Sequence, residues 1–226
     1  MAAIPDYLSW AFILTTVLTV FFFLKASGFS KKVLTVILFW LVFHGVLGNS
    51  GFYQNTSTSP PRIFLTFGPT ILLFIFLFVS KGGQRWIKKL DLKTLTLLHV
   101  VRIPVELILY GLFIEKAVPE LMTFSGRNFD ILAGITAPFI YYFGFVKDIL
   151  SKKFTLVWNV LSLVLLLNIV INAILSAPLP FQQFAFEQPN IAILYFPFIW
   201  LPALVVPIVM FSHFVAIKKL SKKSPD

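Results

Sequence analysis

The chain has 226 residues, of which 58% are hydrophobic and only 12% are charged, and its formal net charge is +10. A soluble domain averages about 25% charged residues, so this composition predicts an integral membrane protein. The basic residues lie in short clusters between apolar segments, which indicates membrane topology and no nucleic-acid partner. The absence of cysteine excludes disulfides, thiolate metal sites and cysteine nucleophiles.

Seven apolar segments are candidates for crossing a bilayer, which takes about 17–25 residues each. In chain order they cover residues 7–24, 33–48, 63–80, 94–115, 129–146, 155–175 and 191–217. No connection between them is long enough for a soluble domain. The sequence therefore predicts an all-α bundle of seven transmembrane helices that forms a single integral membrane domain over residues 1–226. The first segment follows Pro5 and Asp6 without a basic leader, which favours a span over a signal peptide.

The basic residues predict how this bundle is oriented. The N-terminal side and the loops on that side carry three of them, namely Arg62, Lys116 and Arg127. The other loops and the C-terminal tail carry fifteen, namely Lys25, Lys31, Lys32, Lys81, Arg85, Lys88, Lys89, Lys93, Lys147, Lys152, Lys153, Lys218, Lys219, Lys222 and Lys223. Because basic loops remain in the cytoplasm, we expect an outer N-terminus and a cytoplasmic C-terminus in the plasma (inner) membrane.

The fourth segment carries a row of polar side chains. At about 100° per residue, His99, Arg102, Glu106 and Tyr110 fall within one sector of a helix. A charge near the bilayer centre costs about 2.5–3.5 kcal/mol, so such residues normally face the bundle interior. Two amides of the sixth segment are candidates to meet this row. The predicted intramembrane polar site comprises His99, Arg102, Glu106, Tyr110, Asn168 and Asn172.

Two interpretations of the charges in this row remain open. Arg102 and Glu106 are four residues apart, so they can form an ion pair that is purely structural. Alternatively, Arg102 orients an anionic group of a ligand while Glu106 takes up and releases a proton. Pro104 lies between them and is expected to free a backbone carbonyl and kink the helix.

Two outer loops predict a second polar region. The loop over residues 177–190 alternates phenylalanine with glutamine, which suits a segment at the membrane interface or a lid over the bundle. The loop over residues 118–130 is expected beside it. Together they predict an outward-facing vestibule formed by Glu120, Arg127, Asp130, Gln182, Gln183 and Gln188.

The sequence predicts no cofactor and no metal site. A b-type haem is the alternative, because two histidines from different helices can ligate one iron. The candidates for this role are His44, His99 and His213.

The function that we expect is transport of a small solute or ion, coupled to protons through the polar row. A first alternative is a membrane-embedded enzyme or haem-type redox protein that works at the outer vestibule, although an enzyme is the less expected class. A second alternative is a ligand-binding or accessory membrane subunit. The expected partners are the lipid bilayer and a small solute or ion.

Overall fold

The computed structural model describes residues 4–221, so Lys222 and Lys223 of the expected cytoplasmic tail lie outside the described residues. The protein is all-helical, at 73% helix, and has no strand within residues 4–221. Its α-helices are α1 (Asp6–Ala26), α2 (Lys31–Asn49), α3 (Phe64–Val79), α4 (Lys81–Lys89), α5 (Leu92–Leu98), α6 (Arg102–Ile114), α7 (Ile131–Tyr141), α8 (Lys152–Ser176) and α9 (Val206–Leu220). Single 3₁₀ turns occur at Phe52–Gln54, His99–Val101, Glu120–Met122 and Ala192–Leu194, and π-helical turns at Tyr142–Val146 and Leu201–Val205.

Five helical segments are long and apolar enough to cross a membrane: Asp6–Ala26, Lys31–Asn49, Leu92–Ile114, Lys152–Ser176 and Leu201–Leu220. The helices α3 and α4 make a sixth if this pair, bent by 89°, is one span. The remaining apolar helix, Ile131–Val146, is shorter. The described residues therefore hold five or six candidate spans, and the predicted count of seven stays a prediction.

The last of these segments starts later than the sequence predicts, at Leu201 and not at residue 191. The N–H groups of Ile191 and Ala192 both donate to the carbonyl of Ala117, at 3.1 and 2.9 Å. These bonds hold residues 191–192 against the connection that follows α6, and the extended backbone at Tyr195 (φ −117°, ψ 150°) then separates them from the last helix. The expected span 191–217 is corrected to Leu201–Leu220.

Proline also shapes this last segment. Pro207 has no N–H, so the carbonyl of Ala203, four residues earlier, loses its usual helical donor. The indole of Trp40 on α2 donates to that carbonyl at 2.9 Å, and Trp200 donates to the carbonyl of Leu41, also at 2.9 Å. Backbone groups inside a bilayer must find hydrogen-bond partners within the protein. These two indole hydrogen bonds meet that need and join α2 to the turn before α9.

The predicted fourth segment lies at the centre of the bundle. Helix α5 packs against α1, α7 and α9, and α6 packs against α1 and α7. The 3₁₀ turn at His99–Val101 separates α5 from α6, directly before Pro104. The missing N–H of Pro104 removes the helical donor for the carbonyl of Val100, which lies within this turn. The kink expected from Pro104 therefore appears as a local change of helix type.

One end of the bundle is strongly basic. The N–H of Asp91 donates to the carbonyl of Ala26 at 2.8 Å, which brings the start of α5 against the end of α1. The ammonium group of Lys219 donates to the carbonyl of Leu90, which adds the end of α9. We call this region the basic end. It gathers the lysines that close three helices, namely Lys25, Lys88, Lys89, Lys218 and Lys219.

Candidate functional site

Arg102 is the centre of a buried polar network in the middle of the bundle. This residue lies at the first turn of α6 and is only 2% exposed. Four of its five N–H groups donate to protein acceptors. They bind both carboxylate oxygens of Asp130, the carbonyl of Ser162 at 3.0 Å, and Nε2 of His213 at 3.1 Å. The guanidinium thereby connects α6 to α7, α8 and α9.

The ion-pair partner of Arg102 is Asp130, whereas the sequence offered Glu106 for this role and placed Asp130 in the outer vestibule. The structure corrects both the predicted pairing of Arg102 and the predicted location of Asp130. Asp130 is 5% exposed, and its two oxygens face Nε and Nη2 of Arg102 in a bidentate pair. The planar guanidinium matches a carboxylate in this geometry. Glu106, four residues along the same helix, does not form this bidentate contact and accepts a hydrogen bond from another residue.

The connection before α7 folds inward and brings Asp130 to Arg102. The side-chain oxygen of Asn128 accepts from the N–H of Asp130 at 3.0 Å. At Gly134, an added Cβ would lie 3.1 Å from the backbone nitrogen of Ile103 and 3.2 Å from Cβ of Arg102. Glycine is therefore needed at residue 134 for α7 to approach this closely. The inward path also explains why the apolar helix Ile131–Val146 is short.

Glu106 is buried without a cation of its own. Its side chain is 1% exposed, and Oε1 accepts a hydrogen bond from the amide of Asn128. The same amide donates to the carbonyl of Met122 at 3.0 Å. Within residues 4–221, Oε2 of Glu106 has no hydrogen-bond partner. Because a lone buried carboxylate is costly when ionised, this geometry favours its neutral form.

His213 completes the network on the side of α9 and α8. Arginine can only donate, so Nε2 of His213 must accept from Arg102, and the ring proton is on Nδ1. Nδ1 lies 3.0 Å from Oδ1 of Asn159, whose amide donates to the carbonyl of Thr155 at 2.9 Å. The hydrogen bonds therefore define His213 as a neutral imidazole while Arg102 is charged.

His99 lies flat against His213. The ring centroids are 3.9 Å apart and the ring planes differ by 16°. Trp158 contacts His99 edge-on at 5.6 Å, and its indole donates to the hydroxyl of Thr136 at 2.9 Å. His99 is 1% exposed, and neither of its ring nitrogens has a hydrogen-bond partner within the described part of the chain. Like Glu106, it is a buried titratable group with unsatisfied polar atoms.

The other members of the predicted intramembrane site lie farther from this centre. Tyr110 is 37% exposed and stacks on Phe124 at 4.9 Å. Asn168 is exposed, and its amide donates to the carbonyl of Arg127 at 2.9 Å. Asn172 is buried and donates to the carbonyl of Asn168 at 3.0 Å. The structure brings His99, Arg102 and Glu106 into one buried region, and among residues 4–221 no contact of Tyr110, Asn168 or Asn172 joins them to it.

In the outer vestibule, the three glutamines bind the backbone. Gln188 donates to the carbonyls of Phe113 and Val118, at 3.1 and 2.6 Å. Gln182 donates to the carbonyl of Phe184 at 3.0 Å, and Gln183 to that of Phe181 at 3.5 Å. These amides hold the loop together and attach it to the end of α6.

The two charged residues left in the vestibule are both exposed. The guanidinium of Arg127 lies 5.9 Å from the ring of Phe184, which places the two outer loops side by side. Glu120 begins the 3₁₀ turn Glu120–Met122. With Asp130 withdrawn into the bundle, Glu120 and Arg127 are the charged groups that remain of the predicted vestibule.

The histidines do not fit a shared haem. Axial ligands approach one iron from opposite faces, each directing a ring nitrogen at the metal. His99 and His213 stack face to face, so their nitrogens point sideways, and Nε2 of His213 already accepts from Arg102. Nδ1 of His44 lies 2.5 Å from the hydroxyl of Tyr53, and the ring contacts Trp40 and Phe43. Within residues 4–221, no group of three or more histidine, cysteine, aspartate or glutamate side chains is arranged to hold a metal ion.

Sequence reasoning missed three members of the network, Asn128, Asn159 and Ser162. A signal for the last two exists in α8, where Thr155, Asn159 and Ser162 recur at intervals of four and three residues. All three are buried, which is the pattern of a polar face directed inward. Asn128 has no comparable signal, because its position depends on how the loop before α7 folds.

Comparison with known families assigns the chain to a family but gives it no activity. A family profile described as "Domain of unknown function (DUF8737)" matches residues 60–221, more than half of the chain. The chain therefore belongs to this family. The matched region contains α3 to α9 and with them the whole network around Arg102. No curated protein and no solved structure matches the chain.

Proposed function

We propose that the chain is a seven-span protein of the plasma (inner) membrane that transports a small solute or ion in exchange with, or together with, protons. In this proposal residues 1–226 form one membrane domain with an outer N-terminus and a cytoplasmic C-terminus. Glu106 is the group that carries the proton. The observation on which the proposal rests is the burial of the Glu106 carboxylate, without a cation, beside an arginine that is committed to another acid.

The proposed topology is supported by where the basic residues gather. The lysines at the ends of α1, α4 and α9 meet at the basic end, on the side where cytoplasmic loops are expected. The short helix Ile131–Val146 can still serve as a span, because the connection before it enters the bundle and covers part of the membrane thickness. In the bent pair, α3 crosses the membrane and α4 lies along its surface.

The two acids of the network have different partners, which suggests different roles. Asp130 receives two N–H groups from Arg102 in a bidentate salt bridge. Glu106 receives only an amide hydrogen bond at Oε1. A neutral carboxylic acid can lose its proton when the surroundings of the site change, and intramembrane acids of this kind form proton relays in pumps and transporters.

Arg102 anchors the site in the described conformation. Its four donated hydrogen bonds join helices that an alternating-access protein must hold in register or move together. A bidentate contact between Arg102 and an anionic substrate group would require that group to replace Asp130. Such a replacement would free the connection before α7, and with it Asn128 and Glu106, so that ligand binding and proton release are coupled.

The test is a measurement of proton movement in proteoliposomes that enclose a pH-sensitive dye. Challenge with a panel of amino acids, sugars, carboxylates and metal cations should produce internal pH changes for at least one solute class. Glu106→Gln should abolish these changes, whereas Glu120→Gln, at an exposed acid, should keep them. If no solute moves protons, or if Glu106→Gln behaves as the unaltered protein, the proposal is wrong.

A further inference from the structure

A long apolar groove opens on the surface of the bundle that would face lipid. It has a volume of about 530 Å³ and runs between α2 and α3, with the turn before α9 and α9 itself as its floor. Val36 and Leu73 line its two walls and are 59% and 45% exposed, while Ala203 and Pro207 form part of the floor. The groove therefore has the shape and lining of a site for a hydrocarbon chain.

The groove meets a positively charged pocket at one of its ends. Trp86 on α4 lines the groove and also a second cavity of about 510 Å³, which Arg85, Lys88 and Lys89 surround. Lys32, at the start of α2, lines the groove itself. An apolar channel and a cluster of cations are thus continuous at a single tryptophan. This is the arrangement that a molecule with an acyl chain and a negatively charged headgroup would require.

In the proposed topology, helix α4 holds these cations at the level of the membrane surface. It follows α3 after a bend of 89°, and its N-cap Ser80 accepts from the N–H of Gly83 at 3.0 Å. Gly83 and Ile87 on α4 are buried, whereas the basic residues of the helix are exposed. One face therefore packs on the bundle and the other faces outward, as in interfacial amphipathic helices.

The cations of this pocket have no counter-charge among residues 4–221. Within residues 4–221, the side chains of Arg85, Lys88 and Lys89 make no hydrogen bond or ion pair. The neighbouring lysines of α9 are used differently. Lys218 donates to the carbonyl of Phe78 at 3.3 Å, and Lys219 donates to that of Leu90. The cluster on α4 is thus available for an anion.

We propose that this groove and pocket form a binding site for an anionic phospholipid of the cytoplasmic leaflet. One acyl chain lies in the groove between α2 and α3, and the phosphate lies against Arg85, Lys88 and Lys89, with Trp86 at the junction. Anionic lipids are concentrated in the cytoplasmic leaflet, where the proposed topology places the basic end. The proposal requires insertion in the membrane in this orientation but does not depend on transport or on Glu106.

The test is native mass spectrometry of the detergent-purified full chain titrated with phosphatidylglycerol or phosphatidylcholine. Phosphatidylglycerol should bind more tightly to the unaltered protein. Arg85→Gln/Lys88→Gln should weaken its binding roughly thirty-fold, because each basic residue near an anionic lipid surface contributes about fivefold. The matched control is Lys147→Gln/Lys153→Gln, which removes two exposed charges outside the pocket and should leave binding unchanged. Equal binding of the two lipids, or equal loss in the two variants, would overturn the assignment.

A second pair of variants tests the groove independently of charge. Val36→Trp fills the groove and should weaken phosphatidylglycerol binding, whereas Val42→Trp alters a lipid-facing site of α2 outside the groove and should not. Val42 is 64% exposed, close to the 59% of Val36, so both variants should fold. The headgroup without acyl chains, glycerophosphoglycerol, should not displace the lipid. Its displacement of the lipid, or identical binding by the two tryptophan variants, would show that the site does not hold an acyl chain.

Discussion

At the scale of single residues, Arg102 and Asp130 form a bidentate salt bridge in the protein core. The two side chains are 3% and 7% exposed, and the arginine also serves His213 and the carbonyl of Ser162. Removing one member of a buried pair leaves the other charge unpaired, whereas replacing both with apolar groups removes the cost of burying them. The pair therefore predicts a pattern of single and double variants.

We expect Arg102→Ala and Asp130→Ala each to lower the free energy of unfolding by about 3–5 kcal/mol. The double variant Arg102→Leu/Asp130→Leu should lose much less than the sum of the two. Thermal unfolding in detergent measures both effects, and Arg127→Ala, at an exposed arginine, is the control with little change. Additive losses in the double variant would show that the two residues do not act as a pair.

Tyr53, which lies outside the spans, makes a pH-dependent contribution to the free energy of unfolding. Burial raises the pKa of its hydroxyl, which lies 2.5 Å from Nδ1 of His44. As the pH rises past about 10, the usual tyrosine pKa, the unfolded chain loses this proton first. The unfolded state then binds fewer protons than the native state, so the stabilisation by Tyr53 falls with rising pH.

The corresponding experiment compares thermal unfolding of the unaltered protein and Tyr53→Phe between about pH 8 and pH 11, a range that spans the usual tyrosine pKa. The variant should be less stable at the lower pH because it lacks the hydrogen bond, and its stability should decline less at the higher pH. Parallel declines in the two proteins would mean that Tyr53 does not contribute to the alkaline loss of stability.

The residues of the site were partly predictable from the sequence. His99, Arg102 and Glu106 stand out because polar groups are rare in an apolar segment, and all three are buried at the bundle centre. Their partners were not predictable in the same way. The bond from Arg102 to Asp130 spans 28 residues and that to His213 spans 111, and both depend on how distant helices pack.

At the scale of elements, the bend between α3 and α4 depends on a single glycine. A Cβ at Gly83 would clash with the backbone carbonyl of Leu77, whereas one at Gly82 would have no heavy atom within 4 Å. Both glycines lie in the first turn of α4. The close approach of the two backbones therefore needs glycine at residue 83 but not at residue 82.

Gly83→Ala should accordingly destabilise the protein by about 1–3 kcal/mol, the range typical of overpacking in a tight site. Gly82→Ala should be neutral or stabilising by up to about 1 kcal/mol, because alanine is the better helix former. Thermal unfolding of the two variants, side by side, is the measurement. Equal effects of the two substitutions would mean that the bend does not need the close contact at Gly83.

The elements that the sequence predicts most closely are the uninterrupted apolar helices. The predicted segments 7–24, 33–48 and 155–175 agree with α1, α2 and α8 to within three residues at each end. Prediction is poorest where tertiary contacts decide the backbone. Residues 191–200 are as apolar as a span, yet residues 191–192 bond to the carbonyl of Ala117 and the backbone is extended at Tyr195 before the last helix begins. Hydrophobicity alone does not report such bonds.

At the scale of the whole molecule, the proposed topology predicts which loops face the cell exterior. The chain has no cysteine, so single cysteines can be introduced without other changes. A membrane-impermeant thiol reagent should label Ser57→Cys on intact cells, and Lys153→Cys only after the cells are permeabilised. Both residues are exposed in the structure. Labelling of Lys153→Cys alone on intact cells would show that the orientation is the opposite of the proposed one. Labelling of both variants would rule out an odd number of spans between the two residues.

The central claim is that Glu106 holds an exchangeable proton in the middle of the bundle. Infrared spectroscopy of the protein in a detergent without ester or carboxyl groups tests it most directly, because a protonated carboxylic acid has a carbonyl stretch that an ionised carboxylate lacks. At neutral pH the unaltered protein should show this band, and it should disappear in Glu106→Gln while persisting in Glu120→Gln. If the unaltered protein has no such band, or if the band remains in Glu106→Gln, then Glu106 does not carry the proton.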